Sequence, residues 1–312
     1  LASQEQAFVA DLRQFFSARV VAKRRLSSQR ILLDVVAPHV IHKALPGHFF
    51  KLSRLPAFLP QVREGAAEVD AGAYQMIGCD KERHLIRFML LERQIQDAVF
   101  AGVEEGEAIA CMGPTGVRLK TDYPEPQVQW FLADGVGLGQ SLYYAWELKK
   151  AGHMVKVWVH TSSMESDFDL DAYAEEWDVP IGFYEGDLPV LTKEDEVVSL
   201  HRLYLQGGAD FVKRSYQIWQ KRYGKVVRSG FSCVGSVHGP MQCMLKGICA
   251  QCLQWQIDPQ TGERTKAVYS CSWQDQPLEI VDLDHMVSRV HNHKSLEKLN
   301  RQWLGYEDIT YT

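Results

Sequence analysis

Short segments in which apolar and polar residues alternate fill the chain between about residues 20 and 119. They include RILLDVVAP, GHFFKLSRL, HLIRFMLLE and EAIACMGP, and turns rich in Pro, Gly and charged residues separate them. Alternation with a period of two is typical of strands that bury one face. The pattern predicts an antiparallel β-barrel or sandwich over residues 18–124.

The residues before this region have a different periodicity. Apolar side chains recur there at intervals of three and four, at Phe8, Val9, Leu12, Phe15 and Phe16. This spacing is typical of an amphipathic helix. We therefore predict a short N-terminal helix over residues 1–17.

Beyond residue 125 the pattern changes again. The stretch VQWFLADGVGLGQSLYYAWELKKAGHMVKVWVH contains an apolar run, a glycine-rich turn, a helical segment and a second apolar run. This order is typical of a βαβ unit, and strand-like and helical segments continue to about Ser232. We predict a Rossmann-like, parallel-sheet nucleotide domain over residues 125–232, which follows a linker containing Pro124 and Pro126.

The remaining chain combines short β-like pieces with a cysteine-rich stretch over residues 233–284. This segment is too short to build a large core of its own. A helical tail is predicted over residues 285–312, where the sequence SLEKLNRQWLGY places its apolar residues on one side.

Four of the seven cysteines lie close together in the sequence, with the spacing Cys243-x5-Cys249-x2-Cys252-x18-Cys271. Clustered cysteines in a chain without a recognisable secretion signal indicate a metal or redox site more than a disulfide framework. Three crowded cysteines and one distant cysteine are typical of a [2Fe–2S] centre, whereas zinc sites more often contain two short pairs. The spacing alone leaves iron–sulfur, zinc and a coincidental or disulfide arrangement open.

A glycine-rich loop provides the second candidate site, at Asp134-Gly135-Val136-Gly137-Leu138-Gly139 between a predicted strand and a predicted helix. Glycines allow a ligand to approach the backbone, and amides at the start of a helix attract a pyrophosphate. The alternative is a tight turn that requires glycine for packing. The acidic residue expected about 20 positions later is absent, and hydroxyls in the segment 160–163 are candidates for ribose or 2′-phosphate contacts, so NADH and NADPH are not distinguished.

Composition narrows the function classes. The chain carries 34 Lys and Arg residues against 39 Asp and Glu, a net charge of -5, so it has no basic excess that would attract a nucleic-acid backbone. No apolar run approaches the roughly 18 residues of a membrane span, and the first residues do not resemble a signal peptide. We expect a cytoplasmic protein that binds no nucleic acid and has no membrane span.

Several other polar residues are expected to have structural roles. The acidic segment 165–171 is typical of a solvated helix start, because carboxylates are favoured near helix N-termini. Cys79, Cys111 and Cys233 are expected to be small buried apolar residues. No nucleophile and base are arranged for hydrolytic chemistry, so no catalytic side chain is predicted.

The order of these features resembles that of a known family. A barrel with a PGHF segment at 46–49 and a GPTG segment at 113–116, then a GVGLG loop, then a cysteine-rich tail, is similar to the ferredoxin reductase-like electron-transfer subunits. The similar proteins are the dihydroorotate dehydrogenase electron-transfer subunit and the small subunits of sulfide dehydrogenase and of NADH-dependent ferredoxin:NADP oxidoreductase. The resemblance covers about residues 18–284.

The resemblance implies three cofactor sites: FAD in the barrel, NAD(P)H in the second domain and a [2Fe–2S] cluster in the tail. The flavin signature Arg-x-Tyr/Phe-Ser/Thr would fall near Gly72–Met76, and the arginine is missing there. The residues that match the family by position are Tyr74, Gln75 and Met76 for the flavin, the loop Gly135–Gly139 with Gly207 and Gly208 for the nucleotide, and Cys243, Cys249, Cys252 and Cys271 for the cluster.

The implied function is that of an electron-transfer subunit or domain of an oxidoreductase. Electrons would pass between NAD(P)H, FAD and the [2Fe–2S] cluster, and the cofactors would perform the chemistry. The expected partner is another oxidoreductase subunit or fused domain, for example a glutamate-synthase-like flavoprotein as in some relatives. The alternative is a non-catalytic assembly or regulatory module that has lost FAD and binds structural zinc.

Overall fold

The computed structural model describes residues 15–54, 72–92, 100–189, 197–238 and 252–292. The described chain begins with six antiparallel strands that form a closed barrel in the order β1-β2-β5-β4-β3-β6. Their bounds are Phe15–Arg25 (β1), Arg30–Val36 (β2), Phe49–Arg54 (β3), Gly72–Asp80 (β4), Leu85–Leu91 (β5) and Ala108–Thr115 (β6). The barrel predicted from the alternating segments is therefore confirmed.

Alternation of buried and exposed residues explains the barrel. In β5, Ile86, Phe88 and Leu90 point into the core, and the residues between them are only partly buried. The rings of Phe88 and Phe50 meet edge to face with centroids 5.7 Å apart, a geometry that aromatic pairs prefer. Each strand thus contributes one apolar face to the interior.

The first strand begins at Phe15, inside the segment predicted as an N-terminal helix. Phe16 pairs with Cys111 of β6, so the residues from Phe15 to Ser17 belong to the barrel. The intervals of three and four between apolar residues do not separate a helix from a strand over so short a stretch. The predicted helix otherwise falls on residues 1–14, outside the described part of the chain.

The second half contains a six-stranded sheet in the order β14-β11-β10-β7-β8-β9, in which all neighbours are parallel except β14 and β11. The elements are β7 (Val128–Ala133), α1 (Leu138–Lys150), β8 (Met154–His160), α2 (Leu170–Glu175), β9 (Ile181–Tyr184), β10 (Arg202–Gly208), α3 (Ala209–Tyr223), β11 (Ser232–His238) and β14 (Gln276–Pro277). The parallel sheet with covering helices confirms the Rossmann-like prediction. The sheet extends beyond residue 232, since β11 runs to His238.

The strand order reverses at β7, because the chain continues to β8 on one side and later returns to β10 on the other. In open parallel sheets, such a reversal leaves a crevice at the carboxyl ends of the two central strands, where ligands bind. The loops that follow β7 and β10 therefore meet at the usual binding position of this fold.

The segment that follows residue 252 forms a hairpin of β12 (Leu253–Ile257) and β13 (Arg264–Tyr269). A helix begins at residue 283 and continues to residue 292, where the described chain ends. The predicted tail sequence SLEKLNRQWLGY falls outside the described residues. Among the helices that are described, none is both long and apolar enough to cross a membrane.

A buried ion pair joins the barrel to the second domain. Arg30 of β2 is fully buried, and its Nη2 and Nε lie 3.0 and 3.1 Å from Glu165 Oε2. The Nη1 group donates to the Gly135 carbonyl at 2.8 Å, and the guanidinium lies 4.8 Å from the centre of the Phe168 ring. The expectation that the whole acidic segment 165–171 is solvated is therefore wrong for Glu165, because a cation distant in sequence faces it.

The rest of that acidic segment behaves as expected for a helix start. Asp169 is the N-cap of α2, and its Oδ1 accepts a hydrogen bond from the Ala172 amide at 2.9 Å. Asp167 accepts bonds from the backbone and hydroxyl of Ser28, which adds a contact between the domains. The segment thus both caps a helix and holds the barrel.

A buried carboxyl group lies where the C-terminal segment meets α1. The Tyr144 hydroxyl donates to Asp275 Oδ2 at 3.3 Å, and Ser236 also hydrogen-bonds to this carboxyl group. Burial raises the pKa of Asp275 to about 7, although both hydrogen bonds and the positive charge of Arg202 act in the opposite direction. Asp275 therefore keeps its proton at mildly acidic pH in the folded protein.

Loss of the buried carboxylate should destabilise the protein strongly. Glu165→Gln leaves the Arg30 charge in the interior without its counter-ion, and we expect the free energy of unfolding in urea to fall by about 3–5 kcal/mol. The exposed pair Arg24–Glu176 provides the control, and Glu176→Gln should cost no more than about 1 kcal/mol. Equal losses in the two variants would contradict the assigned role of Glu165.

The raised pKa of Asp275 predicts a pH dependence of stability. The folded state retains a proton that the unfolded chain releases near pH 3.8, so the free energy of unfolding falls as pH rises from about 4 to about 7. Asp275→Asn removes this loss, and its stability relative to wild type should increase over that interval by up to about 4 kcal/mol. Urea denaturation at a series of pH values measures the difference, and a constant difference would contradict the assignment.

Candidate functional site

The glycine loop lies between β7 and α1, at the reversal of strand order. Gly137 is the N-cap of α1 and has no side-chain cap, and Leu138 and Gly139 form the first turn of the helix. The loop therefore has the strand–loop–helix context that the sequence predicted.

The carboxylate of Asp134 accepts hydrogen bonds from the backbone amides of this loop. Its Oδ1 accepts hydrogen bonds from the backbone N–H groups of Val136 at 2.9 Å and Gly137 at 3.0 Å. Its Oδ2 accepts a bond from the N–H of Gly208 at 2.8 Å. Asp134 is only 7% exposed, so one buried carboxylate joins the loop after β7 to the end of β10.

The glycines of the two loops are required by this close approach. A Cβ atom at Gly207 would lie 2.5 Å from Asp134 Cγ, and one at Gly137 would overlap the Gln206 carbonyl oxygen. The structure thus brings Gly207 and Gly208 to the glycine loop, as their assignment to one nucleotide site required. It also supports the alternative in which glycine serves packing.

The loop has a further partner in the segment after β8. The Gly135 N–H donates to Ser163 Oγ at 2.8 Å, and the Ser163 hydroxyl donates to the His160 carbonyl at 2.8 Å. Ser163 lies in the segment 160–163, whose hydroxyl groups were candidates for ribose or 2′-phosphate contacts. In this structure it satisfies the loop backbone.

The barrel residues assigned to the flavin lie in β4. Met76 is fully buried in the core, and the Tyr74 ring is 8% exposed and meets Phe100 edge to face at 5.7 Å. The Tyr74 ring also covers Gly72, where a Cβ atom would lie 2.5 Å from the ring. Gln75 is half-buried, and its Oε1 has no partner among the described residues.

Gln274 bridges the PGHF turn and the residue that directly follows the GPTG turn. Its Nε2 donates to the carbonyl oxygens of Gly47 at 2.7 Å and Val117 at 2.8 Å, and its Oε1 accepts from the Val117 N–H at 2.9 Å. The Thr115 hydroxyl donates to the Cys271 carbonyl at 3.0 Å. The cysteine-bearing segment is therefore held on one rim of the barrel.

Two of the four clustered cysteines lie in the described residues, and the structure brings them together. Leu253 pairs with Tyr269 in the β12–β13 hairpin, and the Ser270 N–H donates to the Cys252 carbonyl at 3.2 Å. Cys252 and Cys271 are buried in one apolar cluster with Phe49. Cys243 and Cys249 fall outside the described residues.

The described residues contain no further cluster of side chains that could bind a metal. Within the described ranges, no three His, Cys, Asp or Glu side chains are arranged to hold a metal ion. His238 contacts Gln140 Oε1 through Nε2 at 2.6 Å, and burial lowers its pKa to about 4. Cys111 and Cys233 are buried and Cys79 is half-buried, as expected for small apolar residues, and burial raises the pKa of all three thiols.

Sequence reasoning missed two residues that organise these sites. Asp134 was treated as part of a loop that would bind a ligand, although an acidic residue directly before Gly-x-Gly can cap the loop itself. Gln274 gave no signal, because its three partners are backbone atoms more than 150 residues away in sequence.

No protein-family model matches the chain. A relative, the uncharacterized protein RP006 of Rickettsia prowazekii (strain Madrid E), is 22% identical over 282 residues. The match includes 88% of this chain and 33% of the relative, so the chain spans about one third of that protein's length.

Solved structures share the architecture. The structure of NADH-dependent reduced ferredoxin-NADP oxidoreductase, described for flavin-based electron bifurcation, is 16% identical with a TM-score of 0.67, over 92% of this chain and 97% of that chain. The ferredoxin reductase in carbazole 1,9a-dioxygenase is 15% identical with a TM-score of 0.51, over 70% and 69%. The flavohem-like FAD/NAD binding domain of nitric oxide dioxygenase from Vibrio cholerae O1 biovar El Tor is 14% identical with a TM-score of 0.52, over 72% and 98%.

The TM-scores show a shared fold. At identities of 14–16% they give no information on the chemistry of the site, which has to be argued from the residues. This chain's closed six-stranded barrel followed by a mostly parallel sheet superposes on these structures with TM-scores of 0.51–0.67. The chain therefore has a ferredoxin-reductase-like fold.

Proposed function

We propose that the chain is an electron-transfer subunit or domain of an oxidoreductase in which electrons pass between NAD(P)H, FAD and a [2Fe–2S] cluster. The similar structures include a ferredoxin reductase and an NADH-dependent reduced ferredoxin-NADP oxidoreductase, which supports a general role in electron transfer. The partner is another oxidoreductase subunit or a fused domain, such as a glutamate-synthase-like flavoprotein. We also propose that the chain is related to the dihydroorotate dehydrogenase electron-transfer subunits.

The observation that carries the proposal is that Cys252 and Cys271 lie in one buried apolar cluster on the rim of the barrel. These thiols are separated by 18 residues, and the hairpin register brings the two ends of that interval together. Cys243 and Cys249 precede Cys252 closely in sequence and complete a set of four thiolates. Four thiolates are the usual ligands of a [2Fe–2S] cluster, which supplies one-electron chemistry when bound.

The chain's own residues would fix the position of such a centre. Gln274 makes three hydrogen bonds with the barrel turns, and Thr115 holds the Cys271 carbonyl. Phe49 lies in the same buried apolar cluster as both described cysteines. A buried, rigidly held centre suits electron transfer, because burial and hydrogen bonding set its potential.

The described barrel residues do not fit FAD in the manner of the family. An arginine that would pair with the flavin pyrophosphate is replaced by Gly72, and the Tyr74 ring covers that position. Tyr74 itself is packed against Phe100 in the core. Arg93, which follows β5 in the sequence and would be another source of positive charge for a pyrophosphate, falls outside the described residues.

These departures favour a second candidate, a non-catalytic assembly or regulatory module. Such a module would keep the reductase-like fold without FAD and would use the four cysteines to bind structural zinc. Tetrahedral thiolate sites hold zinc as readily as they hold iron–sulfur centres, so the ligand type does not separate the two functions.

A spectrum of the intact protein distinguishes the two functions. Anaerobic purification with assays for iron, zinc and flavin should give a coloured iron protein whose visible bands bleach when the partner or a chemical reductant supplies electrons. A colourless protein that contains zinc and lacks iron would overturn the electron-transfer proposal and support the structural module.

Removal of a single ligand should abolish the cluster spectrum. Cys249→Ser and Cys252→Ser each remove one thiolate, and we expect loss of the visible absorption and of bound iron in both variants. Cys233 is a residue of β11, and its buried thiol belongs to a different apolar cluster from Cys252 and Cys271, so Cys233→Ser should retain the spectrum. Full cluster content in both ligand variants would refute the assignment.

The Gln274 contacts should protect the cysteine-bearing segment. Gln274→Leu removes three hydrogen bonds and leaves the backbone groups of Gly47 and Val117 without these partners, so the segment should open more often. We expect bound metal to be lost to a chelator at least about threefold faster than from wild type. Gln260→Leu, at a hairpin turn, provides a glutamine control, and equal rates in all three proteins would contradict the role of Gln274.

A further inference from the structure

The carboxylate of Asp134 lies where two helices begin. The N–H of Gly137, the N-cap of α1, and the N–H of Gly208, the N-cap of α3, both donate to it. Helix N-termini carry partial positive charge and are the positions at which folds of this type bind phosphate groups. Asp134 therefore supplies an anion at that position from within the chain.

The backbone N–H groups of the loop already donate hydrogen bonds within the protein. Val136, Gly137 and Gly208 donate their backbone N–H groups to Asp134, and Gly135 donates its N–H to Ser163. A pyrophosphate at this loop would have to displace these bonds. It would also have to approach a buried carboxylate of like charge.

Arg30, a described cation that contacts the loop, already has an ion-pair partner. Arg30 reaches the loop through the Gly135 carbonyl, but its guanidinium makes a two-pronged ion pair with Glu165. The charge of Arg30 is thus balanced inside the protein, and it offers little attraction to a phosphate group.

The loop also packs closely against the neighbouring strand ends. Gly137 abuts the Gln206 carbonyl, and a Cβ atom at Gly135 would lie 2.6 Å from the Ser163 carbonyl oxygen. The loops after β7, β8 and β10 are therefore in direct contact at the point where the crevice of a nucleotide-binding sheet would open.

We infer that Asp134 is a built-in anion that closes this loop against the pyrophosphate of a dinucleotide. On this inference NAD(P)H does not bind at this loop, so the inference departs from the proposed function in that one respect. It rests on the loop contacts alone and is independent of whether the cysteines hold iron or zinc.

Titration of the intact protein with NADH, NADPH and inorganic pyrophosphate tests the inference by calorimetry. Wild type should show no saturable binding of any of the three. Asp134→Gly removes the carboxylate and frees three backbone amides, so each compound should bind saturably, at least about tenfold more tightly than the detection limit that bounds wild type, with an affinity that falls as salt is added. Asp169→Ala removes a carboxylate that caps an amide of α2 away from the loop, and its titrations should match wild type.

A second variant covers the case in which Asp134→Gly does not fold, as judged by circular dichroism. Asp134→Asn keeps the size of the side chain and removes its charge, so it should bind pyrophosphate more tightly than wild type. Saturable binding of NAD(P)H to wild type that pyrophosphate competes away would overturn the inference, as would folded Asp134 variants that gain no affinity. Metal content measured on the same samples reports separately on the cysteine site, so failure of one proposal is distinguishable from failure of the other.

Discussion

The arrangement of the second domain depends on one carboxylate. Asp134 joins the loop after β7 to the end of β10 through three backbone amides, at the points where α1 and α3 begin. Side chains on Gly137 or Gly207 would prevent the approach, so the glycines and the acid act as one unit. A motif that is usually associated with ligand binding here stabilises the junction of two strands and two helices.

The barrel is connected to this junction and to the C-terminal segment by different contacts. Arg30 crosses from β2 to Glu165 and to the carbonyl of Gly135, so the glycine loop is held from the barrel side as well. On another rim, Gln274 and Thr115 hold the segment that carries Cys271. The cysteines are thus positioned by the barrel, and the glycine loop is fixed by its own domain and by one buried barrel cation.

The sequence predicts the elements better than the contacts between them. Period-two alternation and the apolar–glycine–helix order depend on local patterns, so the barrel and the parallel sheet could be predicted. The role of Glu165 could not, because its partner Arg30 is 135 residues away and acidic residues at a helix start are usually solvated. The position of the glycine loop between β7 and α1 could be predicted from its local pattern. The hydrogen bonds that Asp134 accepts there depend on side-chain geometry that spacing does not encode.

The distribution of these features bears on the kind of electron transfer proposed for the chain. Exchange of a soluble dinucleotide requires a loop that opens, with free donors and a nearby cation. Relay between cofactors requires fixed positions and little exchange with solvent. In this chain the loop donors are bonded to Asp134 and Ser163, and the described cysteines are buried against Phe49. A reductase-like fold with a closed nucleotide loop and a firmly held thiol pair is suited to relay, because its contacts favour fixed geometry over substrate exchange.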